Sequence, residues 1–287
     1  MAIILDGKTL AKSIVKDVKA QVASMNKPPS LAVIIVGENP ASRVYVDNKK
    51  KDCKACGIIS HEYALSANYG EEGLLALINK LNQDRNTHGI LVQLPLPAGY
   101  NVQKVIQAIC PTKDVDAFHM INVGRIFNGE YGFLPCTPAG VIALLDRYNI
   151  DPQGKHCVVV GHSNIVGKPM AMMLLHRHAT VTICHIYTVD LAAFTRQADI
   201  LVVAVGKIGL ITADMVKPGA VVIDIGINKK PDGKLTGDVD FKGVSKVASY
   251  ISPVPGGVGP MTRAVLMQNT VAAALGSCDS KADVNTK

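Results

Sequence analysis

One stretch of the chain decides its fold class: Cys157-Val-Val-Val-Gly-His-Ser-Asn-Ile-Val-Gly-Lys-Pro169. The apolar run up to Val160 is typical of a buried strand, and Gly161 begins a tight turn. Pro169 suits the first turn of the helix that we predict over Met170–His178, because its missing N–H costs no hydrogen bond there. A strand, a glycine turn and a helix start in this order indicate a doubly wound α/β sheet.

The same glycine turn permits three interpretations of function. Backbone amides at a helix start can bind a pyrophosphate, as in dinucleotide-binding loops. The motif departs from GxGxxG, because Ser163 takes the second glycine position and Gly167 comes one position late. A purely structural turn is therefore the second interpretation. The third is the nucleophile elbow of a serine hydrolase, which Ile165 disfavours because the elbow needs a small residue at that position.

Strands and helices alternate on both sides of this turn, which favours an α/β protein with parallel sheets. In the second half we predict strands at His156–Val160, Thr180–Cys184, Ile200–Val205 and Val221–Ile225, no helix around Pro253–Pro260, and a final helix over Thr262–Leu275. In the first half we predict helices at Lys8–Val22, from the Asn39 turn to about Cys56 and at Leu74–Leu81, with strands at Leu31–Val36 and Gly89–Leu94.

The length of the chain, 287 residues, is large for one domain and suggests two lobes. We expect the first lobe to comprise residues 1–138 together with 263–287, so that the C-terminal helix returns to it. The second lobe, residues 139–262, would hold the glycine turn in a doubly wound sheet.

The net charge of +7 favours an anionic partner. The basic residues form no long run and have no interleaved aromatics, which argues against nucleic acid. A basic solvated surface and an anionic small molecule are the two interpretations that remain.

Composition and termini bear on location and on metal binding. No apolar run approaches the roughly 18 residues that span a membrane, and the first residues do not resemble a signal peptide. The seven cysteines are odd in number and scattered, which excludes a complete disulfide framework. Cys53-x-x-Cys56 has no second pair and no nearby histidine, so we predict no metal site. We expect a cytoplasmic protein that does not bind membranes.

Candidate functional residues also occur in the first half. Tyr45 and Lys49 are four positions apart on a predicted helix and so share a face; they are either a packed ring and a solvated cation, or a ring platform beside an acid–base group. Gln93 interrupts a buried strand, where an amide must find hydrogen bonds. Asp114 and Asp116 are either turn residues or a ligand anchor. The glycine-rich segment Pro255–Pro260 suggests backbone brought close to a bound ring.

Motifs along the whole chain carry a family resemblance. They are Asp6-Gly7-Lys8, Val36-Gly-x-Asn-Pro-Ala-Ser42, Tyr45-x-x-x-Lys49, Gly89-Ile-Leu-Val-Gln-Leu-Pro-Leu-Pro97, Lys113-Asp-Val-Asp116, Pro135-Cys-Thr-Pro138, the turn at 161–169, and Pro253-Val-Pro-Gly-Gly-Val-Gly-Pro-Met-Thr262. Together they resemble the methylenetetrahydrofolate dehydrogenase/cyclohydrolase family of the bifunctional bacterial FolD type.

The resemblance implies an activity, a cofactor and a set of site residues. The expected enzyme oxidises 5,10-methylenetetrahydrofolate to 5,10-methenyltetrahydrofolate with a nicotinamide dinucleotide and hydrolyses the product to 10-formyltetrahydrofolate. It implies a homodimer with a catalytic first lobe and a Rossmann-like second lobe. The implied catalytic and substrate-binding residues are Tyr45, Lys49, Gln93 and Asp116, with Pro255 and Gly256 at the substrate. The implied cofactor-binding residues are Gly161, His162, Ser163 and Ile227.

Three departures from the family pattern concern individual residues. Ala117 stands where the family usually has glycine, and Arg263 where it usually has a small apolar residue. The arginine that often binds a phosphate is absent at both His162 and Ile186. The acidic residue of an NAD site usually comes about 20 residues after the loop, and Asp190 is too late for that role. We predict NADP as cofactor, with NAD as the alternative, because no carboxylate is placed to repel the 2′-phosphate.

Overall fold

The structure of the protein is a computed structural model that describes residues 1–276, apart from the side chain of Ala41. Its helices are α1 Gly7–Ala23, α2 Pro40–Cys56, α3 Glu71–Gln83, α4 Val102–Ala108, α5 Met120–Asn128, α6 Cys136–Arg147, α7 Gly167–Leu175, α8 Leu191–Thr195, α9 Phe241–Val244 and α10 Val258–Ala274. Its strands are β1 Ile3–Ile4, β2 Ser30–Val36, β3 Ile59–Leu65, β4 Gly89–Val92, β5 His156–Val160, β6 Thr180–Cys184, β7 Ile200–Val203, β8 Val221–Asp224, β9 Asn228–Lys229, β10 Leu235–Thr236 and β11 Tyr250–Ile251.

The chain forms two compact units, each made of two chain segments. Met1–Lys12 and Pro135–Thr262 form one, which we call the glycine-loop unit. Ser13–Leu134 and residues 263–276 form the other, which we call the lysine unit. The division differs from the expected one at the N-terminus. Residues 1–12 group with the glycine-loop unit because β1 pairs in parallel with β11, with Ile3 opposite Tyr250.

The lysine unit is built on a parallel sheet in the order β3-β2-β4. Every residue of the central strand β2 is buried, as expected for an apolar strand with neighbours on both sides and helices on both faces. The C-terminal helix α10 belongs here from Arg263 onward. Its buried Asn269 donates hydrogen bonds to the carbonyls of Val115 and Leu134, both at 2.8 Å. The predicted return of this helix is therefore confirmed.

The glycine-loop unit holds a parallel sheet in the order β1-β11-β8-β7-β5-β6. The chain leaves β5 towards β6 on one side and later enters β7 on the other side. The carboxyl ends of β5 and β7 therefore flank the point where the strand order reverses, which is where open α/β sheets bind their ligands. A small hairpin, β9 and β10, follows β8 and returns the chain beneath it.

Most predicted elements are confirmed, with one correction. No prediction was made for β3 or for the further elements α4, α5, α6, α9, β1, β9, β10 and β11. The bounds of β5 and β6 match the prediction. The expectation of no helix before Pro260 is wrong: α10 begins at Val258, because a proline within the first turn of a helix lacks only an N–H that would have no partner there. Strand β3 went unpredicted, since polar residues such as His61 and Glu62 interrupt its apolar pattern. Within residues 1–276, no helix has the length and apolarity to cross a membrane.

Candidate active site

Lys49 and Gln93 meet in the lysine unit. Lys49 lies on α2 and Gln93 directly follows β4; the Lys49 ammonium donates to the Gln93 side-chain carbonyl at 3.1 Å. The Gln93 amide nitrogen donates in turn to the carbonyl of Leu94 at 2.7 Å. The backbone therefore fixes the orientation of the Gln93 amide, so that its oxygen faces the lysine. Both side chains are partly buried, which leaves the Lys49 ammonium within reach of a ligand.

Tyr45 lies one helical turn before Lys49 on α2, half-buried. Burial raises the pKa of its hydroxyl, and the positive charge of Arg263 opposes that shift. Arg263 is held by Asp52, also on α2, through a 2.5 Å bond from Nε to a carboxylate oxygen. The departure from the family pattern at Arg263 therefore brings a paired cation to the same helix that carries Tyr45 and Lys49.

Asp114 and Asp116 have different environments, which separates the two interpretations of this motif. Asp114 is buried; its carboxylate accepts from the backbone N–H of His119 at 2.8 Å and from Asn122 at 2.9 Å, and burial raises its pKa. Asp114 is therefore the residue that stabilises the turn. Asp116 is only partly buried. Asp114 forms a parallel bridge with Ile90 on β4. Asp116 comes two residues after Asp114, and Gln93 comes three residues after Ile90, so both lie towards the same edge of the sheet.

Ala117 follows Asp116 in the left-handed region, with φ +60°. Only glycine adopts this conformation without a steric penalty. The preference of the family for glycine at this position therefore has a backbone cause, and this chain carries strain in the residue beside Asp116.

Pro255 and Gly256 belong to the glycine-loop unit, so their chain segment is built separately from that of Lys49. Gly256 has φ +114°, and its carbonyl accepts from the backbone N–H of Lys8 at 2.9 Å. A Cβ at Gly7 would lie 1.9 Å from the carbonyl oxygen of Gly257. This glycine-rich segment is thus in close backbone contact with the N-terminal segment, and its approach to a bound ring stays a prediction.

The glycine turn after β5 has the geometry of a phosphate loop. A Cβ at Gly161 would lie 2.4 Å from the carbonyl oxygen of Ala204, and one at Gly167 would lie 2.1 Å from that of Gly161. The Ser163 hydroxyl accepts from the backbone N–H groups of Val166 and Gly167, at 3.1 and 3.3 Å, where α7 begins. Both glycines are therefore required by close backbone contacts, and the cradle that they leave suits a pyrophosphate at a helix start.

Two imidazoles lie beside this turn. The rings of His162 and His185 are 5.0 Å apart, both are exposed, and Tyr187 packs edge-on against His185. The backbone N–H of Tyr187 donates to Nδ1 of His185 at 3.2 Å, which turns Nε2 of that ring outward. Like His162, His185 is therefore a candidate hydrogen-bond donor to a phosphate bound at this turn. The sequence did not indicate this role for His185.

Two buried carboxylates at the same end of the sheet were missed from the sequence. Asp224 ends β8 and accepts from the backbone N–H groups of Gly226, Asp238 and Val239 at 2.9–3.0 Å. Burial, with a further contribution from Asp238, raises its pKa to about 6. Asp238 accepts from Val205, Gly206 and Asn228. The signal was the pair of aspartates in Gly237-Asp238-Val239-Asp240, which a sequence without the hairpin geometry does not distinguish from surface charge.

Comparison with family models and curated proteins identifies relatives over nearly the whole chain. Residues 5–116 match the catalytic domain of tetrahydrofolate dehydrogenase/cyclohydrolase, and residues 135–278 match its NAD(P)-binding domain. A bifunctional protein FolD of Acetivibrio thermocellus is 57% identical over 274 residues, covering 94% of this chain and 96% of that protein. One from Variovorax paradoxus is 55% identical, covering 94% and 97%.

Solved structures agree with this assignment. The bifunctional FolD methylenetetrahydrofolate dehydrogenase/cyclohydrolase of Campylobacter jejuni superposes with a TM-score of 0.94 at 53% identity, covering 96% of this chain and 99% of that one. The Trypanosoma brucei enzyme, solved with NADP cofactor and an inhibitor, gives 0.93 at 37% identity, covering 97% and 99%. The chain therefore belongs to the tetrahydrofolate dehydrogenase/cyclohydrolase family and is a bifunctional enzyme of one-carbon folate interconversion.

Proposed function

We propose that the Lys49 site serves both reactions of this enzyme, with NADP as the hydride acceptor. The observation that carries the proposal is the 3.1 Å hydrogen bond from the Lys49 ammonium to Gln93, on a helix face shared with half-buried Tyr45. One cation, one flat ring and one oriented amide are the groups that a pterin and its methylene bridge need for stacking, polar contact and proton transfer.

Asp116 is the proposed anchor of the substrate. The pterin presents two N–H groups on one edge, and a carboxylate offers them two acceptor oxygens in a charge-assisted pair. Asp116 is partly exposed, whereas Asp114 is buried and already bonded. The basic surface of the protein favours the glutamate tail of the folate.

The oxidation requires positioning more than acid–base chemistry. The nicotinamide, when bound, accepts a hydride from the methylene carbon. Tyr45 and Asp116 hold the pterin in one orientation, which is the main contribution that the chain makes to this step. Pro255 and Gly256 are proposed substrate contacts through their backbone, since neither can place a large side chain between the ring and the protein.

Hydrolysis of the methenyl group requires proton transfer, and Lys49 is the proposed acid–base group. Water adds to the methenyl carbon and gives up one proton, which leaves a hydroxyl group on that carbon. One C–N bond of the bridge then breaks as its nitrogen gains a proton and the hydroxyl loses its own, which forms the C=O of the formyl group. The Lys49 nitrogen accepts the first proton in its neutral form and delivers a proton as ammonium. Gln93 positions this nitrogen through its carbonyl oxygen, because the bond to Leu94 prevents the amide from turning.

The dinucleotide is assigned to Gly161, His162, Ser163 and Ile227 in the glycine-loop unit. The two glycine close contacts leave a cradle that fits the pyrophosphate. No carboxylate replaces the missing arginine at His162 or Ile186, so a 2′-phosphate meets imidazoles rather than a negative charge. This favours NADP over NAD, with a modest preference because an imidazole lacks the planar fork through which arginine binds a phosphate at two points. We also propose a homodimer in the cytoplasm, as the family resemblance implies.

The test is a spectrophotometric assay of methenyltetrahydrofolate formation with NADP and with NAD, from about pH 6 to 8. We expect a higher kcat/KM with NADP than with NAD at each pH. A preference for NAD would overturn the cofactor assignment. An NADP preference that is unchanged in His162→Ala would exclude His162 as the group that binds the 2′-phosphate. Absence of turnover with either dinucleotide would contradict the catalytic assignment as a whole.

A further inference from the structure

Asp238 connects three chain segments through one carboxylate, although it lies far from the glycine turn in sequence. One carboxylate oxygen accepts from the backbone N–H groups of Val205 and Gly206, at 2.7 and 3.0 Å. The other accepts from the side-chain amide of Asn228 at 2.8 Å. The residue is fully buried. A buried carboxylate is stable only when hydrogen bonds replace its hydration, and here three donors do so.

The surroundings of Asp238 are shaped around carboxylates. A Cβ at Gly226 would lie 2.2 Å from the Asp238 carboxylate, and one at Gly237 would lie 1.9 Å from that of Asp224. The aspartate of each segment thus fills the space beside a glycine of the other. The β9–β10 hairpin creates this arrangement, because pairing of Asn228 with Thr236 returns the chain beneath the end of β8.

The segments that Asp238 holds lie at the point of strand reversal. Val205 and Gly206 form the turn after β7, and the carbonyl oxygen of the preceding Ala204 is in close contact with Gly161 of the glycine turn. Asn228 directly follows Ile227, which is half-exposed in the short segment between β8 and β9. A single buried side chain therefore fixes one wall of the crevice in which open α/β sheets bind dinucleotides.

We infer that Asp238 is a positioning residue for the dinucleotide, which it holds in place through the Val205–Gly206 turn and the Ile227–Asn228 segment rather than by contact. This inference rests on the proposed placement of the dinucleotide in the glycine-loop unit. Loss of the carboxylate leaves the backbone N–H groups of Val205 and Gly206 without the acceptor that fixes their orientation. The turn must then reorient to satisfy them, and the wall moves with it.

The test compares Asp238→Ala with Asp238→Asn and with Asp240→Ala, a matched control at an exposed aspartate two residues on. Binding of NADP is measured by calorimetry, and hydrolysis of preformed methenyltetrahydrofolate is measured without any dinucleotide. Asp238→Ala should raise the NADP dissociation constant about tenfold or more. The hydrolysis rate should stay within about twofold, because it transfers no hydride. Asp238→Asn should have a smaller effect, since one amide oxygen still accepts from Val205 and Gly206.

Each outcome separates positioning from general stability. Unchanged NADP binding in Asp238→Ala, or equal losses of binding and hydrolysis, would overturn the inference. If Asp238→Ala does not fold, Asn228→Ala decides, because it removes one donor and leaves the backbone bonds of Asp238 intact. It should weaken NADP binding at constant hydrolysis, and no effect would count against the inference. Failure of the wild-type protein to bind any dinucleotide would instead contradict the proposed function itself.

Discussion

The two compact units build their candidate sites in opposite ways. In the lysine unit, the site consists of partly exposed side chains, and a single hydrogen bond joins Lys49 to Gln93. In the glycine-loop unit, the site is mostly backbone, held by glycine close contacts and by the buried carboxylates Asp224 and Asp238. The candidate site of the lysine unit offers functional side chains to a ligand, whereas that of the glycine-loop unit offers a backbone surface.

The difference predicts how each site responds to substitution. A site made of reactive side chains should lose chemistry when one functional group is removed, while its fold tolerates the change. A site made of backbone should lose binding when volume or buried charge changes, while the chemistry of the other unit continues. The two activities of the enzyme measure these losses separately, since hydrolysis of a preformed methenyl substrate requires no dinucleotide.

The largest effect is expected for Lys49→Met, which removes the ammonium and keeps most of the stem. Cyclohydrolase activity should fall by about a hundred-fold or more, the usual contribution of a positioned acid–base group. The NADP dissociation constant should be unchanged. Lys51→Met, at an exposed lysine two residues further along α2, is the matched control. Wild-type hydrolysis by Lys49→Met would show that the lysine unit does not depend on this side chain for its chemistry.

The next effect concerns pH and has opposite signs for two carboxylates, one in each unit. Burial raises the pKa of Asp224 to about 6, so ionisation costs more in the folded than in the unfolded protein. Stability is lost as pH rises from about 4 through 6, by roughly 3 kcal/mol. Glu62 in the lysine unit is opposite: hydrogen bonds from Arg43 and Lys50 lower its pKa to about 2, and its contribution is lost as pH falls from about 4.5 towards 2.

Denaturant unfolding between pH 3 and about 7 would test this contrast. Asp224→Asn should remove the decline in the free energy of unfolding between about pH 4 and 6, whereas Glu62→Gln should leave it and flatten the dependence below about pH 4.5. The same slope in Asp224→Asn as in the wild type would mean that this carboxylate is not the group that titrates.

Gly167→Ala tests the claim that the glycine-loop unit is sensitive to volume. The added methyl would lie 2.1 Å from the carbonyl oxygen of Gly161, so the turn must open. We expect a loss of about 1–3 kcal/mol in stability, typical of overpacking, and weaker NADP binding with normal hydrolysis. Gly124→Ala is the control, because its methyl would meet no atom within 4 Å and its position is helical. Equal effects of the two substitutions would remove the distinction.

The smallest effect is a gain in stability from Ala117→Gly. Relief of the left-handed backbone should exceed the entropic cost of glycine by about 0.5–1 kcal/mol. Asn149→Gly, at φ +53° in the glycine-loop unit, should gain less because asparagine tolerates this conformation. Thermal unfolding of the two variants measures the difference. A loss of stability in Ala117→Gly would indicate that the buried methyl contributes more than the strain costs.

Sequence patterns predicted the elements whose signal is local. The strand β5 is an apolar run after His156, and β6 alternates threonine with apolar residues. The helix α2 begins at the turn where Asn39 accepts from the backbone N–H of Ser42 at 3.1 Å. The predicted face that Tyr45 and Lys49 share follows from helical spacing. Their catalytic importance came from the family resemblance and not from the spacing, which is equally typical of a solvated surface.

The network around Asp238 could not be predicted because its partners are distant in sequence. The hydrogen bond from Val205 to Asp238 joins residues 33 positions apart. The same limit applies in the lysine unit, where the bond from Arg263 to Asp52 joins residues 211 positions apart. An aspartate beside a glycine is a common turn sequence. Only the geometry of the β9–β10 hairpin shows which backbone amides Asp238 faces. The start of α10 was missed for a different reason, since proline ends a helix interior but fits its first turn.

The pairing of β1 with β11 bears on how the chain folds during synthesis. Strand β1 can pair with β11 only after Tyr250 has been synthesised, because Ile3 lies opposite that residue. The carbonyl groups of Val115 and Leu134 can accept their hydrogen bonds only after Asn269 has been added. Translation proceeds from the N-terminus at roughly 5–20 residues per second. Neither unit can therefore acquire all its contacts while the ribosome is still adding the first 250 residues. Both units therefore need the chain from Tyr250 to Asn269 before their contacts are complete.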